Sequence, residues 1–320
     1  MARVKTKKPV GSSFGNILVV GDSILDIYHY GKAYKIASES PTIVVEDQTT
    51  RVSWGGAALF VRNVLELGGS VSFVSLFGDD DFTKREKDFT HPNLKKFFIR
   101  EKGRKTTVKE RFWADGYTLL KWNHLDNRVI SAETKHAILA IVKKELPFHN
   151  KLVVSDYRHG LITEDFANEL VATGKKFSKP VYVDSQIQRD GNHLWYRGAT
   201  LMCLNRKEAE SVFPDFSFLK ISESLQRMHE ILDCEHIVVK LGAEGSVALV
   251  GERFIQTPPH IVKALDTTGA GDAFFAPLVI SECPPSEEVL RQANIWAGLS
   301  TTIVGTEPPK REEMEKILKL

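Results

Sequence analysis

The chain's 320 residues suffice for one large α/β core or two ordinary domains. With 42% hydrophobic and 26% charged residues and a net charge of +2, the composition is that of a soluble globular protein. That balance argues against a nucleic-acid or membrane surface, and the dispersed Cys203, Cys234 and Cys283 fit reduced thiols in a cytoplasmic protein.

Residues 1–15 are basic and polar, without the apolar stretch of a signal peptide, so a frayed, flexible start is expected. No apolar run reaches the ~18–20 residues of a bilayer span. Residues 16–20 read as a buried strand closed by Gly21-Asp22, with Asp26 four residues on. Residues 41–52 have strand character but no crossover helix, and Gly55-Gly56 opens a helix over 57–67. A strand at 71–76 follows. Residues 105–113 and 117–122 flank Ala114-Asp115-Gly116, a hairpin signal. With 38–53 they predict a small antiparallel sheet projecting from the core, either a lid or a dimerisation surface, with Trp113 and Trp122 as core or interface aromatics. Downstream, strands at 151–154, 181–183, 200–204 and 236–240 alternate with amphipathic segments at 132–146, 163–175 and 222–232. The C-terminal third turns helical at 270–282, 286–303 and 309–319, with a kink expected at Pro277. This order predicts a mainly parallel sheet covered by helices on both faces.

Chemistry-bearing residues fall at the strand ends. Asp22, Asp26, Gly55 and Gly56 offer carboxylates and backbone groups of the kind polyol recognition uses. Asp156, Arg158 and His159 follow another strand, where a cation could meet an anionic substrate group or simply be solvated. Asn205 and Glu208 either orient a hydrated Mg²⁺, Glu208 acting through water, or form a helix capping box. Lys240, Gly242 and Gly245 could admit nucleotide phosphates, or the glycines could serve a plain hairpin turn. Asn294 and Ala297 lie on a helix that could meet a purine.

The most informative segment is Asp266-Thr-Thr-Gly-Ala-Gly-Asp272. Gly269 and Gly271 flank Ala270 where a loop becomes a helix, whose free N–H groups and dipole favour phosphate. A carboxylate repels phosphate, so Asp272 suits a base that takes a proton from an attacking hydroxyl. Anion cradle plus base reads as phosphoryl transfer to an alcohol, though a capped turn has the same pattern. The segment is neither a Walker A loop nor a dinucleotide fingerprint.

Taken together over 16–305, the early Gly-Asp, the Gly-Gly helix start, Asn-x-x-Glu, Lys-x-Gly-x-x-Gly and Asp-Thr-x-Gly-Ala-Gly-Asp resemble the ribokinase-like (PfkB-type) sugar kinases. Within that family, residues 21–26, 39–45, 154–160 and 196–201 resemble the kinase domain that phosphorylates O1 of D-glycero-D-manno-heptose 7-phosphate. The resemblance implies a single ribokinase-like domain over 1–320, an ATP- and Mg²⁺-dependent kinase, and a homodimer through a β lid at 38–53 and 104–123. It implies Asp272 as base and the N–H groups of Gly269, Ala270 and Gly271 as charge stabilisers. Asp266 would brace the loop or help orient the metal, and Thr268 would border the nucleotide. A K⁺ site beside 299–306 is expected in some relatives; a helix end is the other reading. The expectation is a kinase without the C-terminal nucleotidyltransferase domain of the family's bifunctional form. Departures touch the substrate side: Leu59 where these kinases have Asn, Ile27 where they have Arg, and Asp184-Ser-Gln186 where they have Asp-Pro-Lys. Rival readings are another sugar, sugar phosphate or nucleoside acceptor, a non-catalytic sensor of sugar or nucleotide, and a dinucleotide-dependent oxidoreductase.

Overall fold

The structure, a computed structural model, describes residues 15–187, 191–217 and 220–319, so all of the expected frayed start except Gly15 falls outside it. The first half runs β1 (Asn16–Gly21), β2 (Ser23–Ile36), β3 (Ile43–Gly56), α1 (Ala57–Glu66), β4 (Ser70–Phe77), β5 (Leu94–Arg100), β6 (Val108–Ala114), β7 (Tyr117–His124), α2 (Ala132–Glu145) and β8 (Lys151–Asp156). The second half runs α3 (Glu164–Lys176), β9 (Val181–Ser185), β10 (Leu201–Asn205), α4 (Arg206–Val212), α5 (Ile221–Leu232), β11 (His236–Lys240), β12 (Ser246–Val250), β13 (Arg253–Thr257), α6 (Ala270–Ile280), α7 (Glu287–Ser300) and α8 (Arg311–Leu318).

A nine-stranded sheet has the order β13-β12-β11-β10-β9-β8-β1-β4-β5. It is parallel from β11 to β5, with β12 and β13 added antiparallel at one edge. Ile17, Leu18, Val19 and Val20 are all fully buried because β1 is covered on both faces. Ile17 and Val19 join the apolar layer under α1, α6 and α7, while Leu18 and Val20 join the layer under α2, α3 and α5. β1 pairs with β4 on one side and β8 on the other. The strand order therefore turns outward from β1.

The smaller sheet has the order β3-β2-β6-β7. Its pairs β2–β3 and β6–β7 are antiparallel hairpins, joined through a parallel β2–β6 contact. It begins earlier than the residue pattern suggests. β2 starts at Ser23, directly after the first strand, and β3 runs into α1 at Gly56. Gly56 has φ 60°, and a Cβ there would run into Asp22 O, so glycine alone fits this strand-to-helix corner. Trp113 is partly buried and Trp122 exposed. Helix α6 continues through Pro277 to Ile280.

Candidate active site

The carboxyl ends of β8, β9, β10 and β11 meet the first turn of α6 around a cavity of about 870 Å³. Gly269 caps α6 with φ 80°, and a Cβ there would collide with Leu59, which lines the same wall. The amide of Ala270 is turned back onto Thr267 O at 3.3 Å. That leaves the Gly269 and Gly271 N–H groups, at the positive end of the helix, for an anion.

Asp272 sits in this first turn and is buried. Burial raises its carboxyl to about 7; the bond from Tyr157 Oη to Oδ1 opposes the rise, Asp184 and Asp26 add to it, and Lys240 counters it. Its Oδ2 lies 3.8 Å from the point where a Gly269 Cβ would stand, so this oxygen faces the anion loop. Lys240 Nζ approaches the same loop, 3.5 Å from the corresponding point on Gly271. It is paired with both oxygens of Asp184 at 3.1 Å. Burial opposes its charge, but Asp184 outweighs that and holds the ammonium above its usual range.

One flank of the cavity is mainly apolar or small: Gly242, Ala243, Pro259, Ile261, Val262 and Ala297. A charged part of the cavity wall comes from the small sheet. Asp26, Lys109 and Arg111 line it, with Arg111 bonded to Asp26 Oδ1 and lying 5.1 Å from the Tyr28 ring. The Lys109 ammonium has no hydrogen-bond or ion-pair partner among the described residues, although its backbone pairs within the small sheet. Burial and Arg111 lower its ammonium, although Asp26, Asp22 and Asp272 pull the other way.

Among the expected residues, Asp26, Gly56, Asp156, Asn205, Glu208, Lys240, Gly242, Gly245, Thr268, Gly269, Ala270, Gly271, Asp272 and Asn294 line this one cavity. Asp22, Gly55, Arg158 and Asp266 do not. Asp22 accepts from Tyr157 N at 2.9 Å and so braces the loop after β8; burial, then repulsion from Asp156, raises it to about 7. Gly55 packs beneath the Asp26 carboxylate. Arg158, expected to face substrate, lies 4.3 Å over the Trp195 ring instead. Asp266 accepts from Thr268 N at 2.9 Å and Gly305 N at 3.0 Å, tying the anion loop to the segment after α7.

Several lining residues are also committed internally. Asn205 Oδ1 accepts from Glu208 N at 3.0 Å while Glu208 Oε2 accepts from Asn205 N at 2.6 Å, a capping box on α4. Burial raises Glu208 to about 7, and among the described residues its Oε1 has no hydrogen-bond partner. The Asn294 amide donates to Ser246 Oγ and Thr257 Oγ1, both at 2.9 Å, which spends its nitrogen on joining α7 to β12 and β13. Asp156 accepts from Ser185, Asn192, Tyr196 and Arg158 N, and burial raises its carboxyl. At 299–306, Thr301 O already accepts from Leu265 and Asp266 N–H groups, and Thr306 O from Ser53 and Arg62.

Sequence reasoning missed Lys109, Arg111 and Tyr157. Alternation along the predicted strand places Lys109 and Arg111 on one face and was the available signal. Nothing local marks Tyr157.

Comparison with known proteins adds to this geometry. The description "pfkB family carbohydrate kinase" matches residues 15–313. Bifunctional protein HldE of Rhodopseudomonas palustris is 31% identical over 314 residues, with 94% of this chain and 63% of the relative covered. Its namesake from Nitratiruptor is 29% identical over 307 residues, with 94% and 64% covered. The chain thus spans about three-fifths of the length of these curated relatives. Arabidopsis thaliana ribokinase complexed with ribose and ATP superposes with TM-score 0.71 at 21% identity, covering 96% of this chain and 99% of that one. Escherichia coli phosphofructokinase-2 in complex with fructose-6-phosphate gives TM-score 0.73 at 17% identity, covering 95% and 98%. At these identities the two structures establish a ribokinase-like fold.

Proposed function

The chain belongs to the pfkB family and is an ATP-dependent carbohydrate kinase; from that premise we propose that its acceptor is a sugar phosphate. The specific acceptor we propose is D-glycero-D-manno-heptose 7-phosphate, converted at O1 to the 1,7-bisphosphate with release of ADP. One observation carries the reading. A base at an anion loop shares its cavity with a cation, Lys109, that has no carboxylate partner. A neutral sugar brings no anion into contact with that ammonium, on which Asp26, Asp22 and Asp272 act only through space, whereas a phosphate pairs with it directly.

The acceptor hydroxyl sits beside Asp272 Oδ2, which takes its proton as the oxygen attacks the γ-phosphorus. The new O–P bond forms as the bond to the β–γ bridging oxygen breaks, and ADP leaves. The Gly269 and Gly271 N–H groups stabilise charge on the migrating phosphoryl group, with Lys240 beside them. The nucleotide base lies against the apolar flank, between Gly242–Gly245 and Ala297. Among the described residues no group of three His, Cys, Asp or Glu side chains forms a metal cage. A hydrated Mg²⁺ carried by the nucleotide phosphates would be held by Glu208, which lines the cavity. Bound there, it supplies charge neutralisation for the phosphates.

The small sheet acts as the lid over the sugar, and its exposed apolar surface pairs two copies. Leu59 and Gln186, both in the cavity wall, favour a second reading in which the same chemistry serves a different sugar phosphate. The test compares ADP release from MgATP with heptose 7-phosphate, other sugar phosphates and their neutral parents, in wild type and Lys109→Gln. The expected result is a preference for phosphorylated acceptors and a rise of about 10–100-fold in acceptor KM for Lys109→Gln. Equal use of neutral sugars, or an unchanged KM in the variant, would remove the anionic-acceptor assignment.

A further inference from the structure

The base itself has a partner that phosphoryl transfer does not require. Tyr157 follows β8, lines the cavity and donates its hydroxyl to Asp272 Oδ1. Among the described residues it is the sole hydrogen-bond donor to that carboxylate. Its backbone is pinned on both sides: Tyr157 N donates to Asp22 Oδ2 at 2.9 Å, and Arg158 N donates to Asp156 Oδ1 at 2.8 Å. Asp156 is in turn gripped by Ser185, Asn192 and Tyr196. The phenol therefore has a fixed position and presents its O–H in one direction. Burial, then the charge of Asp272, holds the phenol well above its usual range, so it remains a donor at every physiological pH.

A carboxylate in the first turn of a helix can rotate about its last bond. Two oxygens then compete for the acceptor proton, in more than one plane. A donor on one oxygen removes that freedom and leaves the other as the basic site. Here the oxygen left over is the one that faces the anion loop. We infer that Tyr157 is the positioning residue for the Asp272 base: it holds Oδ1 so that Oδ2 is presented to the acceptor hydroxyl. Asp22 and Asp156, two carboxylates with the chemistry of sugar ligands, act through this loop, fixing Tyr157. The inference rests on the kinase reading above and extends it to a residue that touches the base and not the phosphate.

Tyr157→Phe tests it, since the ring and its packing are kept and only the hydroxyl is lost. The first readout does not depend on turnover: titration of the Asp272 carboxyl by ¹³C NMR, assigned with Asp272→Asn. Asp184, Asp26, Lys240 and Lys109 also act on this carboxyl and are unchanged in the variant. Loss of the donor is expected to raise the Asp272 titration by roughly 0.5–1 in pH. The acid limb of kcat should move up with it, and kcat at pH 7 should fall about 10-fold while acceptor KM stays within about 2-fold. In an Asp272→Asn background the same change should add nothing. An unmoved titration, or a KM effect without a kcat effect, overturns the positioning role. If Asp272→Asn collapses turnover while Tyr157→Phe leaves rate and titration unchanged, Tyr157 alone is excluded. If Asp272→Asn keeps full turnover, the base assignment fails, and the role of Tyr157 with it.

Discussion

Burial that would ready Asp272, the proposed base, for proton transfer also costs the fold. An aspartate in an unfolded chain titrates near ~3.9, whereas here the carboxyl is raised to about 7. The folded protein thus holds the proton more tightly than the unfolded chain does. Its contribution to stability is fully present below about pH 4 and is lost as pH rises through about 7. Asparagine carries no such charge, so Asp272→Asn should melt at a higher temperature than wild type at pH 8. That advantage should shrink as the pH falls toward 4. Melting curves at pH 8 and pH 5 check this, and a variant less stable at pH 8 would mean the charge is well solvated. The asymmetry between Asp272 and Tyr157 also shows what a linear reading can reach. Asp272, Gly269 and Gly271 are legible because the loop and its helix start are contiguous, so composition and spacing carry the chemistry. Tyr157 meets Asp272 from 115 positions away, and only the packing of β8 beside β1 and the clamp of Asp22 bring it there. Asp22 and Arg158 look like ligands in the sequence, yet in the structure they lie outside the cavity lining, because residues at strand ends can turn toward the cavity or back into the frame.

At the scale of elements, α6 matters most because its N-terminus carries the anion loop. Its far end is secured by a lysine from the sheet. Lys151, buried at the start of β8, donates to Val279 O at 2.9 Å and to Ser281 O, beneath the Tyr182 ring. Those carbonyls would otherwise be left at a helix end with no partner. Burial pushes the ammonium down to about 8. Lys151→Met keeps the stem but strands the carbonyls, and should lower unfolding stability by about 2 kcal/mol. Denaturant unfolding measures this, and a loss below about 0.5 kcal/mol would mean water replaces the lysine. Strands such as β1, β8, β10 and β11 are readable from their β-branched runs. β2 is not, because its 14 residues pass from a buried half to an exposed half with a register shift at Tyr30/Gly31. No periodicity survives that change of environment. The parallel β2–β6 contact is likewise invisible locally, since it joins two hairpins far apart in sequence.

For the whole molecule, the small sheet raises the question of a partner. β7 is its edge, and every residue of that strand is exposed. Tyr117 at 76%, Trp122 at 57% and, on β2, Ile36 at 71% leave apolar surface open to water. Such an edge invites pairing unless something covers it. Under the proposed homodimer a second copy does so. Light scattering should give a dimer at micromolar concentration, and Trp122→Glu should give a folded monomer. A wild-type monomer under those conditions would contradict the pairing. The strand–helix alternation is enough to indicate a mainly parallel α/β sheet, and the motifs at the strand ends carry the resemblance to ribokinase-like kinases. The acceptor is harder to read, because Leu59, Lys109 and Gln186 come from three separate elements or loops and meet only in the folded cavity. The most direct measurement is ADP release from MgATP and D-glycero-D-manno-heptose 7-phosphate, with Asp272→Asn run alongside. Acceptor-dependent turnover that falls about 10²–10⁴-fold in the variant, with ATP affinity little changed, is the predicted result. Near-normal turnover in the variant would contradict the account of Asp272 as the base.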